Sequence, residues 1–195
     1  MRWTVLLLST LFLQDPKPAD FLTFKEGAVW TYVAGGTEGK IKVTGREKIG
    51  DVETFVLTTE AAEGVATERE FFAIDATGLR LYRQSTGDKN TDYAPPLVRL
   101  KLPPAKGDTW EWKGEIGKEK ASATYVNEGE EEIKVPAGTY KTWKITVSGE
   151  HGSAKHKGTN WYAPGVGIVR QQSKFESEGR KHESTIDLKS FEPGK

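Results

Sequence analysis

The chain has 195 residues, with 28 lysines and arginines against 28 aspartates and glutamates, and no cysteine. Zero net charge argues against a nucleic-acid surface, which needs a basic excess to displace counterions, and against a polybasic membrane patch. Without cysteine there can be no disulfide, thiol nucleophile, thiolate metal site or lipidated N-terminal thiol.

Met1 to Leu13 has the pattern of an export signal. Arg2 supplies the positive start, Trp3 to Leu13 is an apolar run broken only by Thr4, Ser9 and Thr10, and Asp15-Pro16-Lys17-Pro18 stops it. The run is too short for a membrane span, which needs about 20 apolar residues, and suits the core of a signal peptide. Residues 1–19 are therefore expected to be an export signal or N-terminal leader, and residues 20–195 a single all-β domain with no transmembrane span. No small-x-small pair marks a cleavage site.

From there the hydrophobic period is two. Trp30 and Tyr32 alternate with Thr31 and Val33; Ile41 and Val43 with Lys40, Lys42 and Thr44; Phe55 and Leu57 with Thr54, Val56 and Thr58. Leu79 and Leu81 follow, then Val98, Leu100 and Leu102 alternating with Arg99 and Lys101, then Trp110 and Trp112 around Glu111. Ile133 and Val135, then Trp143, Ile145 and Val147, and finally Ile186 and Leu188 continue the pattern. Such alternation predicts half-buried antiparallel strands, roughly ten to twelve of them. Gly50-Asp51, Asp75 to Gly78, Pro136-Ala137-Gly138 and Pro164-Gly165 are turn signals. Gly87 to Pro96 reads as the longest loop and, with Pro103-Pro104 close behind, as a joint between two halves.

The halves resemble one another. Glu26 to Tyr32 matches Lys106 to Trp112 at an offset of 80, placing Gly27 on Gly107 and Trp30 on Trp110. Gly50, Thr54, Phe55 and Leu57 match Gly138, Thr142, Trp143 and Ile145 at an offset of 88, and Phe72-Ala73 matches Tyr162-Ala163 at 90. The shared order of glycines and aromatics points to an internal duplication. Repeat one spans about residues 21–86, repeat two about 97–175, and a C-terminal strand about 181–191.

The Gly-x-x-Trp-x-aromatic start, Val135 to Tyr140 and Trp161 to Arg170 together resemble the exported bacterial TapB-like proteins. The resemblance covers most of the chain after about Asp20. It implies a half-open β-barrel of long antiparallel strands, similar in shape to the periplasmic lipoprotein carriers. It implies no agreed activity and no catalytic residues. This chain departs from many relatives in lacking a lipid-attachment cysteine.

The expected fold is accordingly an open half-barrel or strongly curved antiparallel sheet built from two diverged repeats. Trp30, Tyr32, Trp110, Trp112 and Trp143 recur at equivalent strand positions. Two roles are open to them: lining a concave trough that holds an acyl chain or stacks on sugar rings, or filling the core of a curved sheet. His151, His156 and His182 are the only histidines and lack a convincing third ligand, so no metal is expected. Glu128 to Glu132 reads as a solvated acidic run. Nucleophile elbows, zinc-protease motifs and phosphate loops are absent. No catalytic residue and no cofactor are expected, and the chain reads as non-enzymatic. The functional expectation is an exported protein of the periplasm or cell envelope that binds a lipid, an acyl chain or another apolar molecule, or an envelope protein. The alternative is a carbohydrate-binding module using exposed tryptophans.

Overall fold

In the computed structural model, the described residues are Leu22, 24–60 and 66–195, without the side chain of Ala66. The expected leader at residues 1–19 lies outside them. Among the described residues twelve strands follow in chain order: β1 (Val29–Ala34), β2 (Thr37–Ile49), β3 (Val52–Glu60), β4 (Ala66–Asp75), β5 (Gly78–Thr86), β6 (Lys89–Lys101), β7 (Thr109–Ile116), β8 (Glu119–Val135), β9 (Gly138–His151), β10 (Ala154–Ala163), β11 (Gly167–Ser177) and β12 (Arg180–Glu192).

Each strand pairs antiparallel with the next, and β1 pairs antiparallel with β12, so the sheet is a closed up-and-down barrel. This overturns the expected open half-barrel or curved sheet. Closure runs through Val29 with Glu192, Trp30 with Phe191, Thr31 with Ser190, Tyr32 with Leu188 and Val33 with Asp187. Alternation in sequence reveals which face of a strand is buried but not which strand lies beside it. The polar composition of β12 imitates an edge strand, yet Leu188 is fully buried and the outward Asp187 pairs with Arg170 on β11. Closure removes both sheet edges and the unpaired backbone groups they would expose.

The joint expected at Gly87 to Pro96 is also corrected. It is a two-residue turn at Gly87-Asp88 followed directly by β6. The proline signal instead marks the weakest seam in the barrel. Strands β6 and β7 share only two paired positions, Tyr93 with Ile116 and Ala94 with Glu115. Pro95 and Pro96 have no N–H to donate, so the ladder cannot run on through them. Two tryptophans of β7 bridge the gap with their side chains: the Trp112 indole donates to the Pro95 carbonyl at 2.8 Å and the Trp110 indole to the Val98 carbonyl at 3.0 Å.

Gly27 and Gly107, and likewise Thr54 and Thr142, make similar bonds, though their partners are not paired by the sequence offsets. Gly27 N–H donates to the Val43 carbonyl and Val43 N–H to the Ala28 carbonyl, both at 3.0 Å; Gly107, Asn127 and Asp108 repeat this at 2.8 Å. The buried Thr54 hydroxyl donates to the Glu47 carbonyl at 2.6 Å, as Thr142 does to Glu131 at 2.6 Å. Strand pairing slips between Phe71 and Phe72 and again between Trp161 and Tyr162.

The up-and-down order puts the turns at Gly35-Gly36, Gly87-Asp88, Gly117-Lys118, Gly152-Ser153 and Glu178-Gly179 at one end, the rim. The turns at Gly50-Asp51, Ala76-Thr77, Pro136-Ala137 and Pro164 to Val166 lie at the other, the floor. The packed core sits toward the floor. Phe24, which enters just before β1, meets Trp30, Phe55 and Phe72 at ring separations of 6.2, 5.6 and 6.0 Å. Leu22 is buried beside Gly167. Toward the rim the strands are largely exposed, as in Arg180 to Glu183.

Candidate functional site: the barrel lumen

Two cavities of the lumen are formed by the described residues. The larger, about 390 Å³, has an apolar floor that includes Leu22, Phe24, Trp30, Leu57 and Phe72, and a polar side made by Tyr32, Glu68, Glu70, Gln84, Arg99 and Gln171. The smaller, about 200 Å³, runs past Tyr93, Trp112, Tyr125, His156 and Asn160 to His151 and Phe175 near the rim. Arg99 and Gln171 border both.

The five aromatic residues singled out in the sequence do not share one surface. Trp30 and Tyr32 line the larger cavity. Trp30 is only 4% exposed, its indole donates to the Val166 carbonyl at 2.7 Å, and the Tyr32 hydroxyl donates to the Ile168 carbonyl at 2.7 Å. Trp112 lines the smaller cavity. Trp110 is buried in the packed wall, stacked on Tyr125 at 5.0 Å. Trp143 is half-buried against the core and lines neither of these cavities.

A belt of polar groups across the middle of the lumen was not singled out from the sequence. Glu68 and Glu70 share the face of β4 that carries Phe72, and His156 and Asn160 share the face of β10 that carries Tyr162. Period two alone would have placed them inside. Arg99 could not be found that way. Leu79 pairs with Leu100 and Arg80 with Val98, which leaves Arg99 as the extra residue of a β-bulge. The bulge breaks the alternation that assigns Arg99 to the outer face and turns it toward the cavities.

The belt is partly cross-linked. The Tyr93 hydroxyl donates to the Gln84 side-chain oxygen, and the Gln84 amide donates to Glu70 at 3.1 Å. Burial, with the field of neighbouring acids, pushes the Tyr162 and Tyr93 phenols up to about 12 despite the opposing charge of Arg99, and raises Tyr32 further. These hydroxyls stay neutral. Burial opposes the charge on the Arg99 guanidinium and the field of Glu70 supports it; starting from the high ordinary value of arginine, Arg99 remains a cation at every working pH. Burial and then the Glu70 charge raise the Glu68 carboxyl, with Arg99 opposing. One buried atom, the Asn160 side-chain oxygen, has no hydrogen-bond partner among the described residues. No group of three metal-ligating side chains occurs among the described residues. His151 instead faces Glu119 at 3.2 Å.

His156 gives the lumen a pH signature. Burial, then the Arg99 charge, hold its imidazole below the usual 6.5. The unfolded chain takes up a proton near pH 6.5, and the folded barrel only at lower pH. The His156 contribution to stability is therefore complete above about pH 6.5 and is lost as pH falls toward the folded value. Glu68 has the opposite sign: its raised pKa leaves stability complete below the unfolded value and loses it as pH rises through the folded one. The expected result is that His156→Gln flattens the fall in Tm just below pH 6.5. An unchanged slope in that interval would place His156 in solvent.

The fold and this lumen define a closed antiparallel barrel with an internal cavity crossed by a polar belt. The DUF3108-like family model matches residues 116–186, from the end of β7 into β12 and just over a third of the chain. The match falls under that description and not under the TapB-like name suggested by the motifs. No curated protein matches the chain. Among solved structures, a candidate lipoprotein from Parabacteroides distasonis is similar, with 15% identity and a TM-score of 0.50 over 92% of this chain and 100% of that one. An exported protein with a YmcC-like fold from Bacteroides fragilis has 18% identity and a TM-score of 0.46 over 88% and 98%. The hypothetical lipoprotein YmcC from Escherichia coli has 11% identity and a TM-score of 0.43 over 84% and 83%. At these identities the first likeness speaks for the fold alone.

Proposed function

We propose that the protein is an exported, non-enzymatic protein of the cell envelope that holds an acyl chain or similar apolar ligand inside its barrel. The observation that carries this reading is the larger cavity. Its volume, about 390 Å³, falls within the roughly 300–1,000 Å³ typical of ligand sites. Its floor is aliphatic and aromatic, so each methylene placed there gains about 0.8 kcal/mol. Trp30 and Tyr32 are the expected aromatics that serve as ligand wall, with Trp112 nearer the rim; Trp110 and Trp143 build the barrel. The export part rests on the leader pattern at residues 1–19, in keeping with the lipoprotein description of the Parabacteroides protein. Sugar stacking needs an exposed aromatic platform. Among the described residues the exposed large hydrophobic is Phe175, at 45%, and none of the described tryptophans is exposed.

Titration with a fluorescent fatty-acid probe tests the reading. Saturable binding with a shift in tryptophan emission is expected, because Trp30 borders the cavity. Neither saturation nor a shift would leave a structural envelope protein as the better account.

A further inference from the structure

The polar belt says more about the occupant than the apolar floor does. An occupant with no polar group would displace water from the half-buried Arg99 cation and offer it no partner in return, which is costly for a charge that forms no ion pair. Among the described residues, no carboxylate lies within 4.0 Å of the Arg99 guanidinium, although ion pairs are formed by Arg46, Arg80, Arg83 and Arg170. Building on the acyl-chain reading above, we propose that the ligand is a single-chain amphiphile with a carboxylate head, received by Arg99 and Gln171 where the two cavities meet, with its chain against the floor.

Three observations support this placement. Arg99 and Gln171 border both cavities, so a head group there has the apolar floor on one side and the route to the rim on the other. The guanidinium is a planar fork of donors that matches a carboxylate with two parallel bonds. The Asn160 side chain, more than nine-tenths buried on the smaller cavity, has an oxygen with no partner. Half a turn of its amide exchanges that oxygen for an N–H₂ donor, which a carboxylate would satisfy.

The remaining charges limit the head to one negative charge. Glu68 and Glu70 line the larger cavity and repel an anion, but Glu70 already accepts from Gln84 and burial favours the neutral form of Glu68. On the smaller cavity, Glu150 is exposed, His151 faces Glu119, and burial favours the neutral form of His156. One guanidinium can balance one carboxylate. A doubly charged phosphate monoester would face the two glutamates with a charge left over.

The test compares hexadecanoate with 1-hexadecanol on the protein and on its variants at neutral pH. Hexadecanoate is expected to bind at least about 10-fold more tightly than the alcohol, given the strength of charged hydrogen bonds. Arg99→Met should weaken hexadecanoate about 10- to 100-fold and leave the alcohol nearly unchanged, which also certifies the fold of the variant. Glu70→Gln should tighten hexadecanoate by removing a like charge. If Arg99→Met does not fold, the carboxylate preference of the unaltered protein and the Glu70→Gln result decide. Equal binding of acid and alcohol overturns the head-group site while leaving the apolar reading standing. Weaker hexadecanoate binding by Glu70→Gln also overturns it, because the carboxylate would then not be repelled. Binding of neither ligand overturns both readings.

Discussion

Replacing Trp30 or Trp110 with alanine is expected to lower stability by about 3–5 kcal/mol each, the range for removing a large aromatic from a core. For a domain of this size that is a fall in Tm of roughly 6–20 °C. The two side chains occupy matched positions and do matched work. Trp30 is 4% exposed, stacks on Phe191 across the closing strand pair at 5.2 Å, and donates to Val166. Trp110 is 7% exposed, stacks on Tyr125 at 5.0 Å with an interplanar angle of 3°, and donates to Val98. Each truncation removes the stack and strips a partly buried carbonyl of its donor, so the cost exceeds simple transfer of the ring to water. Trp110 should lie toward the upper end, because its indole stands in for ladder bonds at the narrow β6–β7 seam. Denaturant midpoints measure both. If either midpoint stays put, that tryptophan is not a core anchor.

These two tryptophans also show how far the sequence could be read. Alternation found the strands because half-buried antiparallel pairs print a period of two. Closure was not legible. Whether β1 meets β12 depends on long-range register, and nothing in Arg180 to Glu192 distinguishes a polar edge from a polar outer face. The lumen was half legible. Glu68, Glu70, His156 and Asn160 lie on the inner parity of their strands, but charged and polar residues at inner positions do not stand out as an aromatic stripe does. Arg99 was hidden by the bulge, since one extra residue reverses the parity of everything beyond it. The prolines stand out in the sequence, but proline reports only a missing donor. Whether the chain there becomes a loop or a strand with a gap is settled by what fills the gap, here two indoles from β7.

That gap depends on Gly114, and Gly114→Ala is expected to cost about 2–3 kcal/mol through overpacking. A Cβ at Gly114 would clash with the Ala94 carbonyl oxygen and would lie 2.8 Å from Cζ2 of Trp112 and 2.9 Å from Cδ of Pro95. The first is backbone, and it belongs to one of the two residues of β6 that still pair with β7. The second is the ring whose indole N–H spans to Pro95. None of the three can yield without moving the seam, so the added methyl should loosen β6 from β7 rather than be absorbed locally. Gly117→Ala supplies the contrast. Its nearest neighbour would be a Thr91 methyl at 3.7 Å, and its φ of 65° limits the penalty to the left-handed backbone, about 1–2 kcal/mol. Hydrogen exchange separates the two mechanisms. Gly114→Ala should speed exchange in the segments around Tyr93-Ala94 and Glu115-Ile116 while the long β8–β9 pairing stays protected; Gly117→Ala should leave the seam unchanged. Because the same irregular stretch of β6 carries Val98 and ends in the bulge at Arg99, loosening it should also weaken hexadecanoate more than 1-hexadecanol. Unchanged seam exchange in Gly114→Ala would mean that β6 and β7 do not approach this closely.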